Sequence, residues 1–181
     1  AERERISELG ILALSLDDLG SWLWHKDQHE EAEGLWREAL EIRKRVYAED
    51  PAPDGTRQYL ARSYCHLAGM LAAQNWPWKA LPYYRLAVRL NQKLVEDFPN
   101  VPVYREVLAD SLFALGELLQ GENWGAPSQD SESHRTFKSG LPGPASNLTV
   151  IFPYTVAQQH AEGESAYRRA IVIREALAAE F

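Results

Sequence analysis

Several residue types and patterns are scarce in this chain, and each scarcity excludes a class of protein. Its 181 residues include one cysteine, Cys65, so an internal disulfide is impossible and a reducing, cytoplasmic setting is expected. No apolar run approaches the roughly 18 residues that a membrane span requires, and the charged residues 1–5 lack the apolar segment of a signal peptide. Basic residues number 19 against 26 acidic ones, giving a net charge of −7, which argues against nucleic acid or a membrane as partner.

The chain does contain a strong internal period of 48 residues. Residues 11–20, 59–68 and 107–116 keep leucine, alanine and serine at matching positions, and each segment closes on leucine followed by a small residue. A fixed period of this length is typical of repeat architectures, in which each copy is one supersecondary unit.

Apolar residues within each copy recur at intervals of three and four, which predicts amphipathic helices. Short turns such as 26–28 would fold consecutive helices back on each other as hairpins, and proline-rich stretches such as 51–55 separate one copy from the next. The helices are predicted at residues 2–25, 29–49, 56–74, 78–97, 103–120 and 160–181.

The third copy is interrupted. Ala39 and Ala87 predict an alanine at position 135, where Arg135 stands; the matching motif ends at Ala170, and 170 − 135 = 35. Residues 125–159 are therefore interpreted as a loop inserted between the two helices of the third copy, rich in proline, glycine and serine. Three roles stay open for it: a disordered loop with serines open to phosphorylation, an apolar strap (residues 148–156) that lies on the helices as an internal ligand, or a segment without a role.

Small and aromatic residues recur at fixed offsets in all three copies. Small residues let two antiparallel helices approach closely, and the aromatic residue fills the space toward the next copy. This pattern resembles the tetratricopeptide repeat. The four recurring positions are Gly20, Ala68 and Gly116; Ala32, Ala80 and Gly163; Trp36, Tyr84 and Tyr167; and Ala39, Ala87 and Ala170.

The resemblance implies an all-α fold of three antiparallel helix hairpins stacked in a right-handed superhelix. The period of 48 exceeds the usual length of about 34 residues by about four helical turns, as in long-helix arrays of large bacterial signalling proteins. HEAT and armadillo repeats are nearer in length but lack this grid of small residues. The expected organisation is one domain, 1–181, with repeats at 6–50, 54–98 and 102–181.

Candidate catalytic and metal sites have simpler explanations. His25 and His29 straddle a predicted turn and have no third ligand, and Cys65 and His66 are helix neighbours that point in different directions. Acidic clusters such as residues 30–33 fit a solvated face with basic partners, among them Arg43. The sequence therefore predicts no enzyme, no cofactor and no metal.

The resemblance instead implies a groove lined by the first helix of each copy. In chaperone-binding relatives, Lys and Asn grip a carboxylate where this chain has Asp17 and Ser21, so that specificity is not expected. Acidic residues beside aromatic ones suit a partner segment with basic and apolar residues. The predicted groove residues are Asp17, Ser21, Trp24, His25, Arg62, Cys65, Asp110, Phe113, Glu117 and Gln120.

Two alternatives concern the aromatic residues. Trp24 and Phe113 could simply pack between helices, and Trp76 and Trp124 could either close the ends of their helix pairs or form an exposed contact row. At the level of function, the prediction is a protein-binding scaffold within a larger bacterial signalling protein. The alternatives are the regulatory domain of an enzyme, such as a serine/threonine kinase, with 125–159 as a lid or internal ligand, and a spacer that binds nothing.

Overall fold

The computed structural model describes residues 2–50, 54–121, 134–138, 147–151 and 156–180. Its helices confirm the predicted all-α repeat fold, and five of the six agree with the predicted bounds to within two residues; the sixth begins four residues before the predicted position 160. The helices are α1 (Glu2–Trp24), α2 (His29–Glu49), α3 (Asp54–Ala73), α4 (Pro77–Asp97), α5 (Pro102–Gln120) and α6 (Val156–Glu180).

Each helix packs on the next along the chain, so α1 pairs with α2, α3 with α4 and α5 with α6. The first two pairs are closed by equivalent turns, in which Asp27 (φ 59°) and Asn75 (φ 61°) adopt the left-handed conformation. The Trp76 N–H then donates to the Leu71 carbonyl at 2.9 Å, and the equivalent bond in the first turn is 3.0 Å. These are Schellman-type ends, which stop one helix and turn the chain back.

The small residues have the predicted packing role. A Cβ on Gly20 would lie 2.7 Å from Trp36 Nε1, and one on Gly116 would lie 2.9 Å from the Tyr167 ring. Distances this short leave no room for a methyl group, so each glycine is the space that an aromatic side chain of the partner helix occupies.

The insertion corrects one expectation. It was predicted as a loop without regular structure, but β1 (His134–Lys138) pairs antiparallel with β2 (Asn147–Ile151), with Thr136 opposite Thr149. The β-branched and aromatic residues of 148–156 do favour a strand. The partner strand β1 lies in the polar part of the insertion, where no such pattern indicates it. The strap prediction stays untested, since residues 152–155 lie outside the described residues, as does the turn at Trp124.

None of the helices described here is long and apolar enough to cross a membrane.

Candidate functional site

Two adjacent hollows lie where α3 and α5 run beside each other, with one wall from α4. We name them the apolar hollow, of about 440 Å³, and the polar hollow, of about 390 Å³. Tyr84 and Ala114 line both, so the two hollows adjoin each other. The apolar hollow is also lined by Ala72, Asn75, Pro77, Phe113, Glu117, Leu118 and Gly121. The polar hollow is also lined by Gln58, Tyr59, Arg62, Cys65, His66, Asn91, Val107, Asp110 and Ser111.

Glu117 is the one charged residue among the described side chains that line the apolar hollow. Its carboxylate accepts a hydrogen bond from the Tyr167 hydroxyl. Burial, and secondly this carboxylate, raise the pKa of Tyr167 to about 12, so the hydroxyl stays protonated and keeps donating. The hollow therefore combines apolar walls with a fixed negative charge.

Phe113 lies at the same edge, 41% exposed. Its ring makes an edge-on contact with Tyr167, 5.3 Å between centroids, and the Arg174 guanidinium carbon lies 5.2 Å from its centroid. Phe113 thus packs on α6 with one side and is open to solvent with the other; its predicted role in a groove stays a prediction.

The polar hollow brings together Arg62, Cys65 and Asp110. Burial raises the pKa of the Cys65 thiol to about 11, so it is a neutral thiol and a poor nucleophile. Its sulfur lies 3.6 Å from Ser111 Oγ, and its side chain packs against the core. Asp110 is exposed and pairs with Arg174, 2.9 Å from Oδ1 to Nη2.

Asp17 does not line either hollow; it is 1% exposed. Its Oδ2 lies 2.5 Å from Arg43 Nη1 and 3.3 Å from Arg62 Nη2. Burial by itself would raise the pKa of Asp17, but His66 and Arg43 outweigh it and hold the pKa below its ordinary value. The predicted groove carboxylate is thus neutralised inside the array.

The prediction that Arg43 lies on a solvated helix face is wrong. Arg43 is 3% exposed and, besides Asp17, donates to Ser63 Oγ and to the Ala13 carbonyl. The charged residues of α2 were interpreted together as a solvated face, but position 43 lies where α3 covers α2. A buried arginine needs this set of acceptors, since an unpaired buried charge is very costly.

The remaining predicted residues lie away from the hollows. The ring centroid of Trp24 lies 4.1 Å from that of His29 and 5.5 Å from that of Trp36, with the planes tilted. Trp24 also packs against the core, which favours the packing interpretation for this residue. Ser21 is half-buried on α1, and His25 is exposed in the turn that follows this helix. Gln120 donates from Nε2 to the His160 carbonyl at 3.1 Å, so it ties α5 to the start of α6.

Trp76 bears on the question of turn tryptophans. It is 39% exposed, and the Lys79 ammonium lies 4.0 Å from its ring centroid. Both interpretations of the turn tryptophans therefore remain possible for the described copy.

Tyr59 is a lining residue that sequence reasoning missed. It is 38% exposed, and the Arg62 guanidinium carbon lies 5.1 Å from its ring centroid. Its position three residues before Arg62 puts both residues on one helix face. This spacing from a predicted groove residue could have identified Tyr59 from the sequence.

The sequence profile of the tetratricopeptide repeat family matches residues 12–52, which covers most of α1 and all of α2. Residues 12–52 are therefore similar to a tetratricopeptide repeat. Such repeats generally mediate contacts between proteins and generally are not catalytic. No curated protein and no solved structure gave a significant match. Within the described ranges, no group of three His, Cys, Asp or Glu side chains is placed to hold a metal ion.

Proposed function

We propose that this tetratricopeptide repeat chain is a non-catalytic scaffold that binds a segment of a partner protein across the two hollows. The observation that carries the proposal is the pair of adjoining hollows between α3 and α5, one mainly apolar and one mainly polar in its lining residues. Ligand sites in proteins commonly combine an apolar lining with a few fixed polar groups. The contact residues of the proposal are Arg62, Cys65, Asp110, Phe113 and Glu117, with Tyr59 and Tyr84 added from the structure.

The partner segment we propose carries an apolar side chain next to a basic one. The apolar side chain would fill the space beside Phe113 and Leu118, and the basic group would meet the Glu117 carboxylate. Charge complementarity of this kind chooses among partners more than it adds affinity. The burial of Asp17 removes one acidic residue from the predicted groove but leaves Glu117 and Asp110 on its surface.

A single-charge variant tests the ligand chemistry. Glu117→Gln removes the charge and keeps an oxygen that can accept from Tyr167. We expect Glu117→Gln to bind a fluorescein-labelled peptide containing Leu-Lys pairs about 2- to 5-fold more weakly than the parent protein does, the range for an exposed ion pair. Anisotropy titrations measure the two affinities. A peptide in which Glu replaces each Lys should bind Glu117→Gln at least as tightly as it binds the parent protein.

Glu38→Ala is the matched control, since Glu38 is an exposed acidic residue of α2 away from both hollows. It changes the net charge equally and should leave peptide binding unaltered. An equal loss of peptide affinity in both variants would show only a long-range charge effect. Unchanged affinity in Glu117→Gln would contradict the proposal that a basic group of the partner meets Glu117.

The wider proposal places all three helix pairs in one domain, with repeats at 6–50, 54–98 and 102–181, within a larger cytoplasmic bacterial signalling protein. The equivalent packing of the three pairs and the equivalent turns of the first two support it. The family resemblance supports the signalling context.

The alternative, a regulatory domain in which the insertion acts as lid or internal ligand, has the β1–β2 hairpin in its favour, because the insertion holds regular structure. A variant in which a three-residue turn like 26–28 replaces residues 125–155 distinguishes the open scaffold from the regulatory domain. Unchanged peptide affinity supports the open groove, whereas tighter binding after deletion supports an internal ligand.

A further inference from the structure

Each helix pair carries one aromatic residue that reaches from its second helix onto its first, and these residues differ in how their polar atoms are paired. They are Trp36, Tyr84 and Tyr167, which are equivalent in the 48-residue register once the inserted residues are subtracted. Trp36 donates from Nε1 to the Asp17 carbonyl at 3.3 Å, and Tyr167 donates from its hydroxyl to the Glu117 carboxylate. Within the described part of the chain, the Tyr84 hydroxyl has no hydrogen-bond partner.

A glycine of α3 explains why Tyr84 differs from Tyr167. The residue 48 positions before Glu117 is Gly69, which has no side chain that could accept a hydrogen bond. A Cβ on Gly69 would lie 3.5 Å from the Tyr84 hydroxyl oxygen, so this hydroxyl lies beside the position from which the third pair supplies its carboxylate. The second pair therefore has the donor of this hydrogen bond and lacks the acceptor.

The Tyr84 hydroxyl lies at the boundary of the two hollows. Tyr84 is 8% exposed, but it lines both hollows, and its oxygen is not sealed from solvent. Gly69, beside the hydroxyl, comes four residues after Cys65 of the polar hollow and three before Ala72 of the apolar hollow. This spacing places the three residues along one face of α3. A segment that extends from one hollow into the other therefore passes the Tyr84 hydroxyl.

The chemistry of this hydroxyl suits a carbonyl oxygen. Burial raises the pKa of Tyr84, so the hydroxyl stays protonated at neutral pH and is a hydrogen-bond donor. A segment that lies in the hollows withdraws its own main-chain carbonyls from water, and a buried carbonyl needs a donor. The hydroxyl and such a carbonyl would each supply what the other lacks.

We propose that the Tyr84 hydroxyl donates a hydrogen bond to a main-chain carbonyl of the segment that the two hollows bind. The inference rests on the proposed function and adds to it the group that holds the backbone of the segment. Since every residue of a segment offers such a carbonyl, Tyr84 fixes the position of the backbone, whereas Phe113 and Glu117 select the side chains.

Tyr84→Phe tests the proposal, because it removes the hydroxyl and keeps the ring. The probe is the fluorescein-labelled peptide of Leu-Lys pairs with an amidated C-terminus. Leucine and lysine side chains carry no hydrogen-bond acceptor, so a loss of affinity is assigned to the main chain. We expect Tyr84→Phe to bind this peptide about 2- to 10-fold more weakly than the parent protein in anisotropy titrations, the range for a neutral hydrogen bond.

Urea unfolding of the unbound chain, followed by circular dichroism, gives a second measurement. Tyr84→Phe should leave the urea midpoint unchanged, because its hydroxyl has no partner within the described chain. Tyr167→Phe should lower the midpoint, since it loses the hydrogen bond to Glu117. A midpoint lowered as much in Tyr84→Phe would show that its hydroxyl is already paired inside the protein, which would overturn the proposal.

Tyr83→Phe is the matched control, because Tyr83 is the preceding residue of α4, is half-buried and lines neither hollow. It should bind the peptide like the parent protein, and an equal loss of affinity in both variants would overturn the proposal. Unchanged affinity in Tyr84→Phe would also overturn it and would leave the proposed function intact. A parent protein that does not bind the Leu-Lys peptide would contradict the proposed function itself, and this inference with it.

Discussion

The two internal junctions of the array solve the same packing problem with different chemistry. Between α2 and α3, the equivalent positions hold Asp17, Arg43 and Ser63, a buried ion pair with a serine. Between α4 and α5, they hold Cys65, Asn91 and Ser111, three neutral side chains joined by a hydrogen bond of 2.7 Å and a sulfur contact of 3.6 Å. Each of the three positions at the first junction lies 48 residues before its equivalent at the second. The same helix geometry therefore accommodates either set of side chains.

This difference indicates that the grid of small residues sets the spacing of the helices, while the polar residues adapt to it. The charged set removes two ions from water and regains that cost only while both partners are present. The neutral set has no such dependence. We therefore expect the first junction to be the more sensitive of the two to single substitutions and to pH.

The largest effect is expected from Asp17→Ala, which leaves Arg43 buried without its carboxylate. Loss of one partner of a buried ion pair costs about 3–5 kcal/mol of unfolding free energy, whereas Asn91→Ala should cost about 1 kcal/mol, the value for neutral hydrogen bonds. Urea unfolding followed by circular dichroism measures both. Equal losses would show that the ion pair has no special role.

A smaller effect is expected from Gly20→Ala, because the new methyl group would collide with the Trp36 indole. Trp36 belongs to the first junction, where its Nε1 donates to the Asp17 carbonyl at 3.3 Å. Overpacking of this kind costs about 1–3 kcal/mol. At Gly34 a Cβ meets nothing within 4 Å, so Gly34→Ala should raise stability by up to about 1 kcal/mol through helix propensity.

The comparison can be tested directly by giving the first junction the residues of the second. The double variant Asp17→Cys with Arg43→Asn should recover most of the loss caused by Asp17→Ala and remain within about 1.5 kcal/mol of the parent protein. Thermal and urea unfolding of the two single variants and the double variant complete a mutant cycle. Additive losses would contradict the view that the two sets are interchangeable.

The smallest effect is expected on acidification. The pKa of Asp17 in the folded chain lies below its ordinary value of 3.8, so its stabilising contribution is complete above 3.8 and is lost as pH falls through the folded pKa. The double variant lacks this contribution but keeps the exposed carboxylates. Its urea midpoint should therefore fall less than that of the parent protein between about pH 5 and about pH 2; identical slopes would argue against a lowered Asp17 pKa.

Sequence reasoning was strongest where a pattern recurs. The period of 48 predicted the helix bounds and the close approach at Gly20 and Gly116, because packing between equivalent helices imposes equivalent residues. It was weakest for Asp17, since periodicity assigns a residue to a helix face but not the side chain that a neighbouring hairpin brings to it. The β1–β2 pairing was missed because β1 lies in the polar part of the insertion, where the residue types do not indicate a strand.

The sequence by itself determined the helix hairpins and their order, because helix periodicity and turn residues act locally along the chain. Only the tertiary structure decided which equivalent residues became a buried ion pair and which lined the hollows. Those outcomes depend on which helix lies next to which. A side chain's burial and charge partner are therefore properties of its neighbours rather than of its own residue type.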